Sequence, residues 1–213
     1  MTKRKLTLSE KRELTKQKKA KSKASRASLP TEADLASLLD HYQSGRYSEA
    51  EKGAMSVIAR FPNHPFCWKI LGALLLDSGR LKEALRACQK TVKLSPKAED
   101  AHSNLGSVFL RLGRFKQAEK SYRRALTLKP DLAAAHNNLG NVLKELRRID
   151  EAVESYRQAI RLKPDFAEAY FNLGLSLQSI GQLEDAIELY KKAISLDPND
   201  SDAHYNFGNA LKE

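Results

Sequence analysis

Proline recurs every 34 residues along most of this chain, at Pro62, Pro96, Pro130, Pro164 and Pro198. Ala50, Ala84, Ala118, Ala152 and Ala186 keep the same interval, and so do Gly72, Gly106, Gly140, Gly174 and Gly208. A fixed period of this length marks one supersecondary unit repeated in tandem. Such a unit cannot bury its own apolar face, so neighbours must stack to complete a core. Positions are numbered 1 to 34 within units that start at Thr31, Pro65, Glu99, Ala133 and Ala167, with a partial unit from Ser201.

Each recurring residue has a physical reason. Apolar or aromatic side chains at positions 4, 7, 8 and 11, for example His102, Leu105, Gly106 and Phe109, have the 3.6-residue spacing of one buried helix face. They predict a helix A over roughly positions 2–14. Glycine at position 15 (Gly45, Gly79, Gly113 and Gly181) can take the left-handed conformation that ends a helix. A helix B follows, opened by a large apolar residue at position 17 and carrying the alanine at position 20, where bulk must be small. Glycine at 8 and alanine at 20, such as Gly106 and Ala118, are expected to act as the small pair that sets the distance between the two helices. Tyr122, Tyr156 and Tyr190 at position 24 are expected to fill space further along. Proline at 32 cannot continue helix B and restricts the residue before it.

Two units depart from the pattern. Arg147 stands where glycine belongs at position 15, which predicts a turn that is strained or differently shaped. Residues 31–64 have Leu38 in place of glycine at 8 and Ala54 in place of an aromatic at 24, and read as a degenerate terminal unit. Residues 201–213 supply only a helix A. Its face at Ala203, Phe207 and Leu211 predicts that the chain is part of a longer protein.

The unit EDAHSNLGSVFLRLGRFKQAEKSYRRALTLKPDL at 99–132 and its registered copies resemble the tetratricopeptide-repeat (TPR) family over residues 31–213. The resemblance implies an all-α fold, a right-handed superhelical solenoid of helix-turn-helix repeats. It divides the chain into a degenerate first repeat at 31–64, four repeats at 65–98, 99–132, 133–166 and 167–200, and a lone helix A at 201–213. It also implies that helix A lines a concave groove, with positions 2, 5, 6, 9, 12 and 13 facing inward.

Position 6 then reads Ile70, Asn104, Asn138, Asn172, Asn206. An asparagine amide both donates and accepts, so a row of them can grip an extended backbone without demanding a sequence. This row, with NLGNVLKE at 138–145, SYRQAIRLKPDFAEAY at 155–170 and YNFGNALKE at 205–213, is similar to the TPR arm of the protein O-GlcNAc transferases. The row can equally serve local packing. Asn141 and Asn209 at position 9 join the candidate groove, with Phe171 and Tyr205 at position 5 as candidate aromatic anchors. Tails of chaperones, which chaperone-binding TPRs hold in a carboxylate clamp, fit poorly: Lys69 is in place, but Ala73 replaces the asparagine the clamp needs.

Nothing in the pattern suggests catalysis, a cofactor or a metal. His102, His136 and His204 share position 4 with Trp68 and Tyr170, which makes them interchangeable packing residues and not a ligand set. Phosphate-loop, H-E-x-x-H and G-x-S-x-G motifs are missing from the sequence. Cys67 and Cys88 have no partner spacing and read as small buried side chains of a reducing compartment. No apolar run approaches membrane-spanning length, and a cytoplasmic location is expected.

The net charge of +11 belongs mainly to residues 1–30, where eleven Lys and Arg face two acids, Glu10 and Glu13. That segment reads as a solvated, disordered tail or as a polybasic anchor for nucleic acid or an anionic surface. Three functions follow from the sequence. The first is a scaffold that binds a peptide or protein partner in the groove. The second is the substrate arm of a glycosyltransferase whose catalytic domain lies elsewhere. The third is nucleic-acid or anionic-surface binding through the tail.

Overall fold

The computed structural model describes residues 29–212. The basic tail expected over 1–30 falls almost wholly outside them. The described chain holds eleven α-helices and no strand. It divides into two compact units, one reaching to Leu71 and the other running from Gly72.

The first unit contains α1 (Glu32–Gln43), α2 (Tyr47–Arg60) and the first turns of α3 (Pro65–Asp77). Thr31 opens α1 with a capping box: its hydroxyl accepts from the Asp34 amide at 3.1 Å, and its own amide donates to the Asp34 carboxylate at 3.1 Å. Arg60 at the end of α2 reaches back to the same carboxylate at 3.2 Å. The departures noted in this repeat are complementary. Leu38 at position 8 and Ala54 at position 24 are both buried, so the large and small residues of the later repeats have exchanged places.

The second unit continues with α4 (Leu81–Leu94), α5 (Glu99–Arg111), α6 (Phe115–Leu128), α7 (Ala133–Glu145), α8 (Ile149–Leu162), α9 (Ala167–Gln178), α10 (Leu183–Leu196) and α11 (Ser201–Ala210). Helix A therefore begins at position 1, one residue earlier than its apolar stripe suggests. Positions 3 and 10 join the buried face, as Ala101 with Val108 and Ala135 with Val142. Each helix packs on the next in chain order, and the A helices α5, α7, α9 and α11 also touch in succession. No pair of consecutive B helices approaches as closely among the described residues. The A helices therefore line the tighter side of this unit.

The turns repeat in detail. Gly113 has φ +68°; its amide donates to Leu110 O at 2.9 Å, and the next amide, of Arg114, donates to Phe109 O at 2.8 Å. Arg147 makes the same pair of bonds, to Lys144 O and Leu143 O at 2.9 Å each, with φ +62°. The turn is thus strained and not reshaped: an exposed arginine occupies backbone space that favours glycine. Before Pro130, Pro164 and Pro198 the backbone is extended, as at Lys129 (φ −145°, ψ 100°).

One packing expectation is corrected. The glycine at position 8 makes room for position 24, not for the alanine at 20. A Cβ on Gly106 would lie 2.8 Å from the Tyr122 ring, on Gly140 2.5 Å from Tyr156, and on Gly174 2.7 Å from Tyr190. In the repeat at 65–98 the pair is Gly72 with Cys88, whose sulfur would lie 2.8 Å away. All three tyrosines are fully buried. The hydroxyls of Tyr122 and Tyr156 end on position 9: Tyr122 meets Ser107 at 2.9 Å and Tyr156 donates to Asn141 at 2.8 Å. Leucine occupies position 9 in the next repeat, and there Tyr190 donates to Gln178 at 2.8 Å.

Candidate functional site

Position 4 shows how one site in the repeat accepts several residue types. The Trp68 indole N–H donates to Pro62 O at 2.8 Å and the Tyr170 hydroxyl to Pro164 O at 3.3 Å. His102, His136 and His204 place Nε2 3.0, 2.9 and 3.1 Å from the carbonyls of Pro96, Pro130 and Pro198. A ring with an N–H or O–H at the right reach is what the position needs. These histidines are braces, and no group of three metal-ligating side chains occurs among the described residues.

The asparagines at position 6 lie on the touching A helices, but their environments differ. Asn104 on α5 and Asn138 on α7 are half-buried, and among the described residues no hydrogen bond engages their side chains. Asn172 on α9 is only 8% exposed and donates to Asn137 Oδ1 at 3.1 Å. Asn137, 1% exposed, donates in turn to Glu168 Oε1 at 3.0 Å. On α11, Asn206 turns its amide onto its own helix, donating to Asp202 O at 2.8 Å. The row is thus two unengaged amides followed by two engaged ones.

The other candidate residues are likewise divided. Asn141 accepts the Tyr156 hydroxyl, so its carbonyl belongs to the core, while Asn209 is half-buried on α11. The Phe171 ring is half-buried and lies 6.0 Å from that of Tyr190. Tyr205 stands out at 69% exposed. Asn137, at position 5 on the face expected to point inward, is more buried than any asparagine of the row beside it. The repeat register gave its place at position 5, but not its bonds to Asn172 and Glu168 on the next A helix.

Burial silences the two thiols. Desolvation pushes Cys67 up to about 11, with the Asp34 charge adding to it, and pushes Cys88 up to about 12. A cleft of about 450 Å³ opens among α6, α7 and α8, between residues that include Arg123, Thr127, His136, Glu154 and Ser155. Its polar groups already have partners. Thr127 and Ser155 donate to their own helices, Arg123 pairs with Glu119 at 2.9 Å, and Glu154 pairs with Arg161 at 2.6 Å.

Tetratricopeptide-repeat sequence profiles match residues 66–131, 98–165 and 137–201. The chain belongs to the tetratricopeptide-repeat family. MamA is similar to this TPR chain at 26% identity and a TM-score of 0.66, over 76% of this chain and 95% of MamA. TTC0263, a thermophilic TPR protein in Thermus thermophilus, is 25% identical with a TM-score of 0.69, over 85% of this chain and 98% of its own. YrrB, described as a TPR protein with an unusual peptide-binding site, shares the TPR fold at 20% identity and a TM-score of 0.68, over 89% and 96% of the two chains. No curated protein sequence matches the chain. A TPR array of this kind is a scaffold for protein interactions, and no described helix is long and apolar enough to cross a membrane.

Proposed function

We propose that this TPR protein holds an extended polypeptide along the face formed by its A helices, with Asn104 and Asn138 gripping the partner's backbone. The observation that carries this reading is the state of those two amides. They occupy the same position on adjacent A helices, are partly open to solvent, and have no hydrogen bond to any described residue. An amide in that state can donate to one peptide carbonyl and accept from one peptide N–H. The grip is therefore indifferent to side chains, and selectivity must come from neighbouring residues.

The glycosyltransferase-arm reading asks for a free amide on every A helix. Asn172 and Asn206 spend amide hydrogens within the chain, which weighs against it. Binding of nucleic acid through residues 1–30 concerns a segment that lies almost wholly outside the described residues.

The test is to select unstructured peptides from a random display library against the full chain. Affinities are then compared by fluorescence anisotropy with the Asn104→Ala/Asn138→Ala variant. Two amides making up to two bonds each, at roughly 0.5–1.5 kcal/mol per bond, predict a loss of about 2 kcal/mol or roughly thirtyfold. Equal affinity for wild type and variant would remove the amides from the mechanism.

A further inference from the structure

The last two A helices carry a combination that the earlier ones lack. On α9, Glu168 at position 2 is followed at position 5 by Phe171; on α11, Asp202 is followed by Tyr205. The corresponding pairs in the two preceding repeats are Asp100 with Ser103 and Ala134 with Asn137. Residues three apart are neighbours on a helix surface, so each acidic position adjoins an aromatic one. Both acids are exposed, and among the described residues neither forms an ion pair.

Glu168 is held in place from below. Asn172 donates to Asn137, and Asn137 donates to Glu168 Oε1, so a chain of two buried amides ends on one oxygen of an exposed carboxylate. A buried amide pair between two apolar helices is costly unless fully hydrogen-bonded. Here the relay fixes the position of a surface charge while its second oxygen stays available. Tyr205, the most exposed large apolar side chain among the described residues, occupies the position that adjoins the second acid.

A carboxylate beside an aromatic face is the surface chemistry that takes a Lys or Arg side chain: the acid pairs with the cation, and the ring attracts it through its quadrupole. Packed helices lie about 8–10 Å apart, and an extended peptide advances about 3.3 Å per residue, so adjacent A helices correspond to roughly three residues of ligand. We infer that the face of α9 and α11 takes a basic, extended peptide with Lys or Arg at two positions three residues apart. One cation meets Glu168 and Phe171, the other Asp202 and Tyr205. This inference rests on the groove reading above, since the same A-helix face must hold the peptide's backbone, and it supplies the selectivity the amides lack.

The test uses the full chain and three fluorescein-labelled peptides of Gly, Ser and Thr. One has two lysines three residues apart, one has them adjacent, and one has glutamine in both places. The expected result is about tenfold tighter binding of the three-apart peptide than of the glutamine peptide, a preference that shrinks with added salt. Glu168→Gln/Asp202→Asn should abolish that preference and leave the glutamine peptide unaffected, because the introduced side-chain amide still offers an oxygen to Asn137. Tyr205→Ala should reduce it severalfold. The inference is overturned if lysine spacing has no effect or if the preference survives loss of both charges. If the lysine preference is absent but Asn104→Ala/Asn138→Ala still weakens all three peptides, the inference fails and the groove reading stands. If no peptide binds, both fail. A preference that emerges only after Lys16, Lys18, Lys19, Lys21 and Lys23 are changed to Gln would assign the site to the chain's own basic segment and overturn a foreign partner.

Discussion

Replacing Gly140 by alanine is the sharpest test of how these repeats are held together. The added methyl carbon would sit 2.5, 2.7 and 2.8 Å from three ring carbons of Tyr156, about 1 Å inside ordinary contact. Retreat is blocked, because that ring is fully buried and its hydroxyl is held by Asn141 at 2.8 Å. Overpacking of this kind costs roughly 1–3 kcal/mol, offset by about 0.5–1 kcal/mol of helix propensity gained. The net is a loss of about 1–2 kcal/mol, or roughly 2–8 °C in melting temperature for a chain of this size. Gly208 occupies the same repeat position on α11, but a Cβ there meets nothing within 4 Å. Gly208→Ala should therefore slow amide exchange in α11 by about two- to fivefold, as propensity alone predicts. Calorimetry on Gly140→Ala and hydrogen exchange on Gly208→Ala should thus report opposite signs. Two changes of the same sign would refute the account of position 8 as the seat of the tyrosine.

Arg147→Gly should stabilise the chain by about 0.5–1 kcal/mol in urea titration, since relief of roughly 1–2 kcal/mol of left-handed strain exceeds the entropy glycine adds to the unfolded state. Asn137→Leu should lower stability by about 1–3 kcal/mol, because it leaves the buried Asn172 amide without its acceptor, and Asn137→Leu/Asn172→Leu should recover part of that loss. Cys67 and Cys88 should resist a thiol reagent at pH 8 and react fully in denaturant. Their raised values also set the sign of alkaline behaviour. The folded chain keeps protons that the unfolded chain releases, so stability is intact below about pH 9 and falls as pH climbs towards 11–12 in a pH series of urea titrations.

Features that depend on neighbours in the chain were legible in the sequence. Glycine at 15 and proline at 32 mark helix ends through backbone geometry, and both sit where the period placed them. Arg147 read as an anomaly, and its φ of +62° shows the cost was real. Features that depend on contacts across helices were not legible. Gly106 and Ala118 look like partners because both are small, yet the ring against Gly106 comes from Tyr122, one turn beyond the alanine. The asparagine row was visible as a pattern, but whether an amide is free depends on its neighbours. Asn137 on the preceding A helix takes up Asn172, and the Asp202 carbonyl takes up Asn206. Identical letters at position 6 therefore carry different chemistry.

The ring braces at position 4 have a consequence for synthesis of the chain. Each joins two groups only six residues apart, such as His136 and the Pro130 carbonyl, and needs no helix further downstream. A nascent chain leaving the ribosome can thus form this bond, worth roughly 0.5–1.5 kcal/mol, at each junction before the following helix has been translated, and stacking of that helix then fixes the bend. Each junction is therefore biased towards its final angle by a contact within its own few residues, which favours pairing of the repeats in chain order.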